Sequence, residues 1–241
     1  MSRQATHTDS SPEVIVYGGS FDPPHNGHVQ MIEAAMGRFP AAQIVVVPAY
    51  APSIAGMGTK AVVASFVQRL AMAKLAFAGI APKKVTVSSV EQELPTPSYT
   101  INTLRILATN TGAMRLALLL GQDQFEALPK WHEPKSILNL SDVIVVPRVN
   151  DNSSSETLVE ASAKVGNALD LGLDWNDAGD CATTIDGSNI HILSSPVCPA
   201  SSSEIRNKIR SGDQVPANWL PVSVRHYIDK NQLYRHSEVN S

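Results

Sequence analysis

The stretch Tyr17-Gly18-Gly19-Ser20-Phe21-Asp22-Pro23-Pro24-His25-Asn26-Gly27-His28 determines how the rest of this chain is interpreted. It follows the short apolar run 14–17, typical of a buried parallel strand, and precedes a segment whose apolar residues recur with a helical period. The stretch is therefore predicted to be a strand-to-helix turn. Its adjacent glycines let the backbone approach a ligand closely, and His25 and His28 stand at the predicted helix start. Free N–H groups, the positive end of the helix dipole and two imidazoles make this turn a candidate phosphate site.

This turn differs from the common phosphate-binding loops, because neither G-x-x-x-x-G-K-S/T nor G-x-G-x-x-G is present. A lone pair of histidines is more often structural than catalytic. Here, however, all positions from Gly18 to His28 fit the pattern G-G-S/T-F-D-P-x-H-x-G-H in a strand-to-helix context. The pattern resembles the H-x-G-H signature of the nucleotidylyltransferase superfamily. Within it, Asp22 is expected to order the turn rather than to transfer a proton.

Composition narrows the class of protein. The chain has 241 residues, 43% of them hydrophobic, which is enough for a substantial core. A net charge of −3 argues against a basic nucleic-acid-binding face. Cys181 and Cys198 have neither metal-ligand spacing nor the number needed for a disulfide framework. No apolar run approaches the ~20 residues that span a bilayer, so we expect a cytoplasmic protein that binds neither nucleic acid nor membrane.

Short apolar runs alternate with helical patterns along the chain, which predicts an α/β fold. We expect a Rossmann-like, open, mainly parallel sheet with helices on both faces, of the nucleotidylyltransferase type. Strands are predicted at 14–17, 43–48, 85–88, 116–120, 143–146 and 190–193. A loop is predicted over 49–60, a helix over about 62–78, and a further helix with Ser98 as its N-cap.

The domain prediction has three parts. Residues 1–12 are polar and are expected to form a disordered tail, and residues 13–241 are expected to form a single domain. A variable insertion is predicted at about 150–189, where Asn, Asp, Ser and Gly cluster. Leu158, Val165 and Leu169 predict one amphipathic helix within it.

Four further motifs extend the resemblance beyond the opening turn. They are Pro97-Ser98-Tyr99-Thr100, Gly121-x-Asp123, Trp131, and Ser201-Ser202-Ser203-Glu204-Ile205-Arg206. In this order and context they resemble the bacterial nicotinate-nucleotide adenylyltransferase family over about 14–148 and 197–235. The resemblance implies an enzyme that joins nicotinate mononucleotide to the AMP part of ATP. The products would be nicotinate adenine dinucleotide and pyrophosphate, as a step of NAD biosynthesis.

The resemblance also implies roles for individual residues. His25, His28 and Arg206 would be catalytic, holding the ATP phosphates and the charge that develops during transfer. ATP would be bound by Gly18, Gly19, Ser20, Phe21, Gly121, Asp123, Ser201, Ser202, Ser203 and Ile205. Mg²⁺ would accompany ATP through phosphate oxygens and water, with no protein metal ligand. His132, His191 and His226 have no motif context and are interpreted as ordinary.

The acceptor side of the site is expected to bind a flat, negatively charged ring. Tyr99 and Thr100 would offer backbone N–H groups to the nicotinate carboxylate, and Trp131 would stack on the pyridine ring. The family usually carries Pro-Pro-His-Lys or Pro-Pro-His-Arg after the second strand, where this chain has Ala51-Pro52-Ser53-Ile54-Ala55. Lys60 is the candidate replacement for the absent basic pair.

Because the basic pair is absent, the sequence leaves open which acceptor is used and whether the protein is catalytic. One is a related transferase that uses nicotinamide mononucleotide or a pantetheine phosphate as acceptor. Another is a nucleotide-binding paralogue without turnover, with the acidic insertion as an interaction surface. A homo-oligomeric state is also left open by the sequence.

Overall fold

The computed structural model describes residues 11–54, 58–59, 61–147, 155–194 and 198–235. The predicted tail 1–12, apart from its last two residues, lies outside this range, as do Lys60 and the start of the predicted insertion. No helix in the described part of the chain combines the length and the apolar character that crossing a bilayer requires.

The strands form one large sheet and one small ladder. Their bounds are β1 Val14–Gly19, β2 Gln43–Pro48, β3 Ser53–Ile54, β4 Gly58–Thr59, β5 Val85–Val87, β6 Leu116–Gly121, β7 Ser141–Val146, β8 Asp174–Trp175, β9 Cys181–Thr183 and β10 Asn189–Ile192. The large sheet has the order β5-β2-β1-β6-β7-β10-β9-β8, and its first six strands are parallel. Strands β9 and β8 continue it in antiparallel fashion. The predicted open, mainly parallel α/β sheet is confirmed.

Helices cover both faces of the sheet. Their bounds are α1 Asn26–Arg38, α2 Phe66–Phe77, α3 Thr100–Thr111, α4 Gln122–Ala127, α5 Pro134–Leu140, α6 Ser155–Leu169, α7 Ser202–Ser211 and α8 Val222–Lys230. Side chains of α1, α2, α7 and α8 join one core, and side chains of α3 to α6 join the other. Alternate residues of β1 supply the two cores, Ile15 and Tyr17 to the first, Val14 and Val16 to the second. Burial on both faces explains why the strands are nearly continuous apolar runs.

The strand order fixes where a ligand can bind. Taken in chain order, the six parallel strands lie 3-2-1-4-5-6 across the sheet, so the order reverses between β1 and β6. The connections from these two strands leave in opposite directions and open a crevice beyond their carboxyl ends. The motif after β1 and the Gly121-x-Asp123 motif at the end of β6 both lie at this point.

Two predicted helix starts are wrong, and both corrections have a hydrogen-bonding cause. Helix α2 begins at Phe66 rather than near residue 62, because Ser65 caps it: Gln68 N–H donates to Ser65 Oγ, and Ser65 N–H donates to Gln68 Oε1. Ser98 is not the N-cap of α3; that position is Tyr99. Ser98 Oγ instead accepts the N–H of Ala51 at 3.0 Å.

The region after β7 contains more structure than the sequence predicted. The expected amphipathic helix is α6, and Leu158, Val165 and Leu169 are all buried in the second core. The strands β8 and β9, which were not predicted, lie at the edge of the sheet. The predicted loop 49–60 contains the short antiparallel pair β3–β4.

We expect that α6 contributes to the stability of the whole fold. Leu158 is 2% exposed in the core beneath α4, so Leu158→Ala should lower the free energy of unfolding by about 2–5 kcal/mol. The neighbouring Val159 is 40% exposed, so Val159→Ala is the matched control and should change little. Denaturant unfolding of both variants measures the difference. Equal, small losses would show that α6 is a peripheral addition.

Candidate active site

A cavity of about 510 Å³ lies at the carboxyl ends of β1 and β6. It collects most of the residues that the sequence assigned to phosphate and nucleotide binding. Those that line it are Gly18, Gly19, Ser20, Phe21, His25, His28, Gly121, Asp123, Ser201, Ser202, Ser203 and Arg206. Segments separated by up to about 190 residues in the sequence thus converge on one site at the switch point of the sheet.

The two histidines form a close pair with tilted rings at the start of α1. His25 is the N-cap residue and is 7% exposed, and the two ring centroids are 3.7 Å apart. His25 N–H donates to His28 Nδ1 at 3.1 Å. An accepting Nδ1 carries no proton, so the neutral His28 ring has its proton on Nε2 and can donate it to an anion. The edge of the buried Phe21 ring supports His28 at a centroid distance of 5.1 Å.

A second helix N-terminus faces the same cavity. Helix α7 begins at Ser202, and its N-cap Ser201 accepts the N–H of Glu204 at 3.2 Å. Ser202 Oγ donates to the carbonyl oxygen of Pro23 at 2.9 Å, which ties α7 to the turn. Two helix N-termini directed at one cavity favour an anionic ligand, because the positive ends of both helix dipoles act on it together.

Arg206 supplies the positive charge at this end of the site. Its side chain is 18% exposed, and its Nη1 donates to the carbonyl oxygen of Asp22 at 2.6 Å. Its Nη2 donates to Ser203 Oγ at 3.3 Å. These bonds hold the guanidinium beside the turn while leaving it on the cavity wall, where it can meet phosphate oxygens.

Asp22 organises the turn, as the sequence indicated. Its carboxylate, 3% exposed, accepts the N–H groups of Val63 and Ala64 at 2.8 and 3.1 Å. It also accepts the hydroxyl of Tyr234 at 2.8 Å and lies 3.8 Å from Arg206 Nη1. Burial, reinforced by the Asp22 carboxylate, raises the pKa of Tyr234 well above its ordinary value, so the hydroxyl stays a donor.

The glycines of the motif differ in what surrounds them. Gly18 and Gly19 still belong to β1, and the left-handed residue of the turn is Phe21, at φ 49°. Gly18 has open space where a side chain would be, which fits close approach of a ligand. Gly27 is required by packing: a Cβ there would lie 2.9 Å from the carbonyl oxygen of Cys198 and 3.0 Å from His25 Nδ1.

Three of the four predicted acceptor-side residues, Tyr99, Thr100 and Trp131, lie outside the lining of this cavity. Tyr99 caps α3, and Thr100 is its first residue, where backbone N–H groups have no intrahelical acceptor. Trp131 is half-buried and packs on the second core. His132, interpreted as ordinary from sequence, stacks on Tyr99 with ring centroids 4.2 Å apart and planes 23° apart. The stack brings the segments 98–100 and 131–133 together.

Ile205 does not line the cavity, because its side chain is fully buried beneath α7 in the first core. Lys60 lies outside the described residues.

Sequence reasoning missed Arg69 and Tyr234. Tyr234 bonds Asp22 from the far end of the chain, a link that no local pattern reveals. Arg69 had a local signal. It lies on the buried stripe of α2 with Met72, Ala73 and Ala76, so a charged residue occupies a core position.

Comparison with known proteins agrees with this geometry. The family model described as cytidylyltransferase-like matches residues 16–208, from the first strand through the α7 segment with Arg206. The chain belongs to this family.

Within the cytidylyltransferase-like family, several similar proteins share one name. The chain is 30% identical over 223 residues to a protein of Synechococcus sp. (strain JA-3-3Ab) named "Probable nicotinate-nucleotide adenylyltransferase", covering 91% of this chain and 93% of the relative. It is 36% identical over 145 residues to a protein of the same name from Chlorobium luteolum, covering 59% of this chain and 72% of that one. The chain therefore belongs to the nicotinate-nucleotide adenylyltransferases.

Solved structures show the same fold. The Plasmodium falciparum nicotinic acid mononucleotide adenylyltransferase complexed with NaAD superposes with a TM-score of 0.66 at 17% identity, covering 92% of this chain and 96% of that chain. The same enzyme complexed with APC gives a TM-score of 0.65 at 16% identity, covering 92% and 97%.

Gly27→Ala should destabilise the protein, because the start of α1 has no room for an added methyl group. The added methyl meets a backbone carbonyl and the His25 ring, so we expect a loss of about 1–3 kcal/mol in the free energy of unfolding. Gly37→Ala is the matched control on the same helix, because a Cβ there meets nothing within 4 Å. It should stabilise the protein by about 0.5–1 kcal/mol. Chemical denaturation measures both, and a Gly27→Ala variant as stable as Gly37→Ala would contradict the close contact.

Proposed function

We propose that this chain is a nicotinate-nucleotide adenylyltransferase, which joins nicotinate mononucleotide to AMP from ATP and releases pyrophosphate. The observation that carries the proposal is the cavity at the switch point, where a histidine pair, two helix N-termini and Arg206 converge. The shared name of the relatives supplies the acceptor. The reaction belongs to NAD biosynthesis, and we place it in the cytoplasm.

The reaction needs positioning and charge neutralisation more than acid–base chemistry. The acceptor phosphate is already ionised, so it can attack the α-phosphorus of ATP without a general base. The bond to the α-phosphorus forms as the bond to the bridging oxygen of pyrophosphate breaks, and the leaving group departs as an anion. Such a site requires donors fixed in place before the reaction. This chain supplies them from imidazole, hydroxyl, guanidinium and backbone N–H groups around one cavity.

In this proposal, the groups that line the cavity bind different parts of ATP. We assign His25 and His28 to the α-phosphate region, where the His28 Nε2–H stabilises the charge that develops in transfer. Ser201 to Ser203 and Arg206 hold the β- and γ-phosphates that leave. Gly121 and Asp123, at the end of β6, face the adenosine half.

The acceptor binds on the side of Tyr99 and Trp131 in this proposal. The first-turn N–H groups of α3 meet the nicotinate carboxylate, and the aromatic side chains of the 98–100 and 131–133 segments contact its ring. The loop after β2 is fastened to this group, since Ser98 N–H donates to the carbonyl oxygen of Ala51 at 2.9 Å. The acceptor thus lies next to the segment that lacks the usual basic pair, and Lys60 is our candidate for its phosphate.

Mg²⁺ enters the site with ATP in our proposal. Among the described residues, no three His, Cys, Asp or Glu side chains are arranged to hold a metal ion. The Asp22 carboxylate is already used by two N–H groups and a hydroxyl. The donor set therefore fits an ion carried by phosphate oxygens and water, which is how Mg²⁺ prefers to bind nucleotides. Such an ion would neutralise part of the triphosphate charge.

Pyrophosphate release from Mg-ATP tests the function, with nicotinate mononucleotide and nicotinamide mononucleotide supplied in parallel. We expect rapid release with the nicotinate form. Release with the nicotinamide form alone would change the acceptor and keep the chemistry. ATP binding without release in either assay would show a binding protein or a different acceptor.

His28→Ala is the active-site variant for the same assay. Loss of one preorganised donor to the transition state typically costs on the order of 10²–10³ in turnover, about 3–4 kcal/mol. Circular dichroism and thermal unfolding confirm that the variant is folded. Near-normal turnover in a folded variant would remove His28 from the phosphate site.

Trp131→Ala tests the acceptor side separately. If the indole contacts the pyridine ring, the variant should raise the KM for the mononucleotide by about tenfold, a loss typical of one aromatic contact, with little change in the KM for ATP. Trp175→Ala is the control, a half-buried tryptophan at the sheet edge that does not line the cavity. Equal changes in both KM values would mean that Trp131 only supports the core.

A further inference from the structure

Arg69 is the largest fully buried side chain among the described residues, with 0% of its surface exposed. It lies in the first turn of α2, one turn beyond the N-cap Ser65. Removing a guanidinium from water is costly unless its donors and its charge both find partners. A methionine or leucine would fill the same core position without that cost. Packing alone therefore does not account for an arginine at this position.

The guanidinium joins three separate loops through backbone carbonyl oxygens. Its Nη1 donates to Ser20 at 2.7 Å, its Nη2 to Tyr50 at 3.3 Å, and its Nε to Ala64 at 3.2 Å. Ser20 belongs to the turn after β1, and Tyr50 to the loop after β2. A planar fork of donors is the group that can reach carbonyls on several sides at once.

The charge of Arg69 is balanced by acids on both sides. Burial lowers the pKa of the Arg69 guanidinium, and the negative charges of Asp22 and Glu91 oppose this shift. Asp22 organises the turn after β1. Glu91, 6% exposed, accepts the N–H of Tyr50 at 2.9 Å on the other side. Arg69 thus lies between two carboxylates: that of Asp22, in the turn after β1, and that of Glu91, which binds the loop after β2.

Hydrogen bonds connect the loop that contains Tyr50 to the proposed acceptor side. Glu91 also accepts the hydroxyl of Thr103, on α3, at 2.8 Å. Ala51 and Ser98 exchange hydrogen bonds next to Tyr50, and Ser98 precedes the Tyr99–Thr100 start of α3. A displacement at the Tyr50 carbonyl would therefore be transmitted to the N-terminus of α3.

We propose that Arg69 is a positioning residue that sets the distance between the phosphate-binding turn after β1 and the acceptor-side loop after β2. It touches neither substrate. It acts by holding the Ser20 and Tyr50 carbonyls on one rigid group, so that the two reactants meet in line. The statement that the loop after β2 serves the acceptor rests on the function proposed above. The statement that Arg69 fixes the turn after β1 does not rest on it.

The test compares Arg69→Lys with Arg225→Lys. Lysine keeps the charge of Arg69, but its single ammonium cannot span both carbonyls. Arg225 is the matched control, because its Nη2 also bridges two backbone carbonyls, those of Val215 and Pro216, and it does not line the cavity. Measured quantities are the Kd for ATP alone, and kcat and both KM values for the full reaction. The stability of each variant is measured alongside.

For Arg69→Lys we expect the Kd for ATP to rise about tenfold, with a higher KM for the mononucleotide and a lower kcat. Arg225→Lys should leave all four values near those of the parent. A purely structural role would reduce only the folded fraction, which lowers the apparent kcat and leaves the Kd and KM values unchanged. That pattern, or parental kinetics in folded Arg69→Lys, would overturn the proposal.

Arg69→Met in a Gly37→Ala background covers the case in which the lysine variant does not fold. It fills the buried position with an apolar side chain of similar length. A folded Met variant that binds ATP weakly supports the positioning role, and one that binds like its parent overturns it. Failure of every Arg69 variant to fold would also overturn it, because Arg69 would then serve folding itself. ATP binding needs no acceptor, so these outcomes are independent of whether nicotinate mononucleotide is the substrate.

Discussion

The buried carboxylate of Asp22 is the interaction on which the arrangement of the site depends. Its oxygens accept two backbone N–H groups ahead of α2 and a hydroxyl from the end of the chain, and its backbone carbonyl accepts Arg206. A carboxylate buried to this degree is stable only when its acceptor sites are filled. The residue that fixes the turn is therefore fixed in return by α2, α7 and the C-terminal segment. This explains how a turn with a left-handed phenylalanine at its centre keeps one conformation.

The topology of the sheet determines where the crevice lies and which helices begin at it. Because the strand order reverses between β1 and β6, the connections that follow them diverge and leave a crevice. Helix α1 starts at that crevice directly from the motif, and α7 reaches it from the far end of the chain through Ser202 and Arg206. An anion there meets the positive ends of two helix dipoles at once, and no lysine is among the described residues that line the cavity. This is consistent with a net charge of −3 in a protein that handles a triphosphate.

The sequence predicted the parts of the structure that local patterns determine, and missed the parts set by distant partners. The strand-to-helix turn and the parallel strands follow from the apolar runs and their periods. The start of α2 does not, because it depends on the capping box at Ser65 and on the use of the preceding N–H groups by Asp22. The displacement of Ser98 from its cap, the Tyr234 bond and the stack of His132 on Tyr99 likewise arise from contacts between remote segments.

The absent basic pair changes the acceptor side less than the sequence alone suggests. In the segment after β2, the backbone groups of Tyr50 and Ala51 are hydrogen-bonded to Glu91 and Ser98. These bonds do not depend on the side chains at positions 51–55, so replacing a histidine and a lysine there leaves the path of Tyr50 and Ala51 intact. Under the proposed function, what the replacement removes is an imidazole and a positive charge near the acceptor phosphate. If the acceptor binds as proposed, the departure from the family pattern should affect the affinity for the mononucleotide rather than the geometry of transfer.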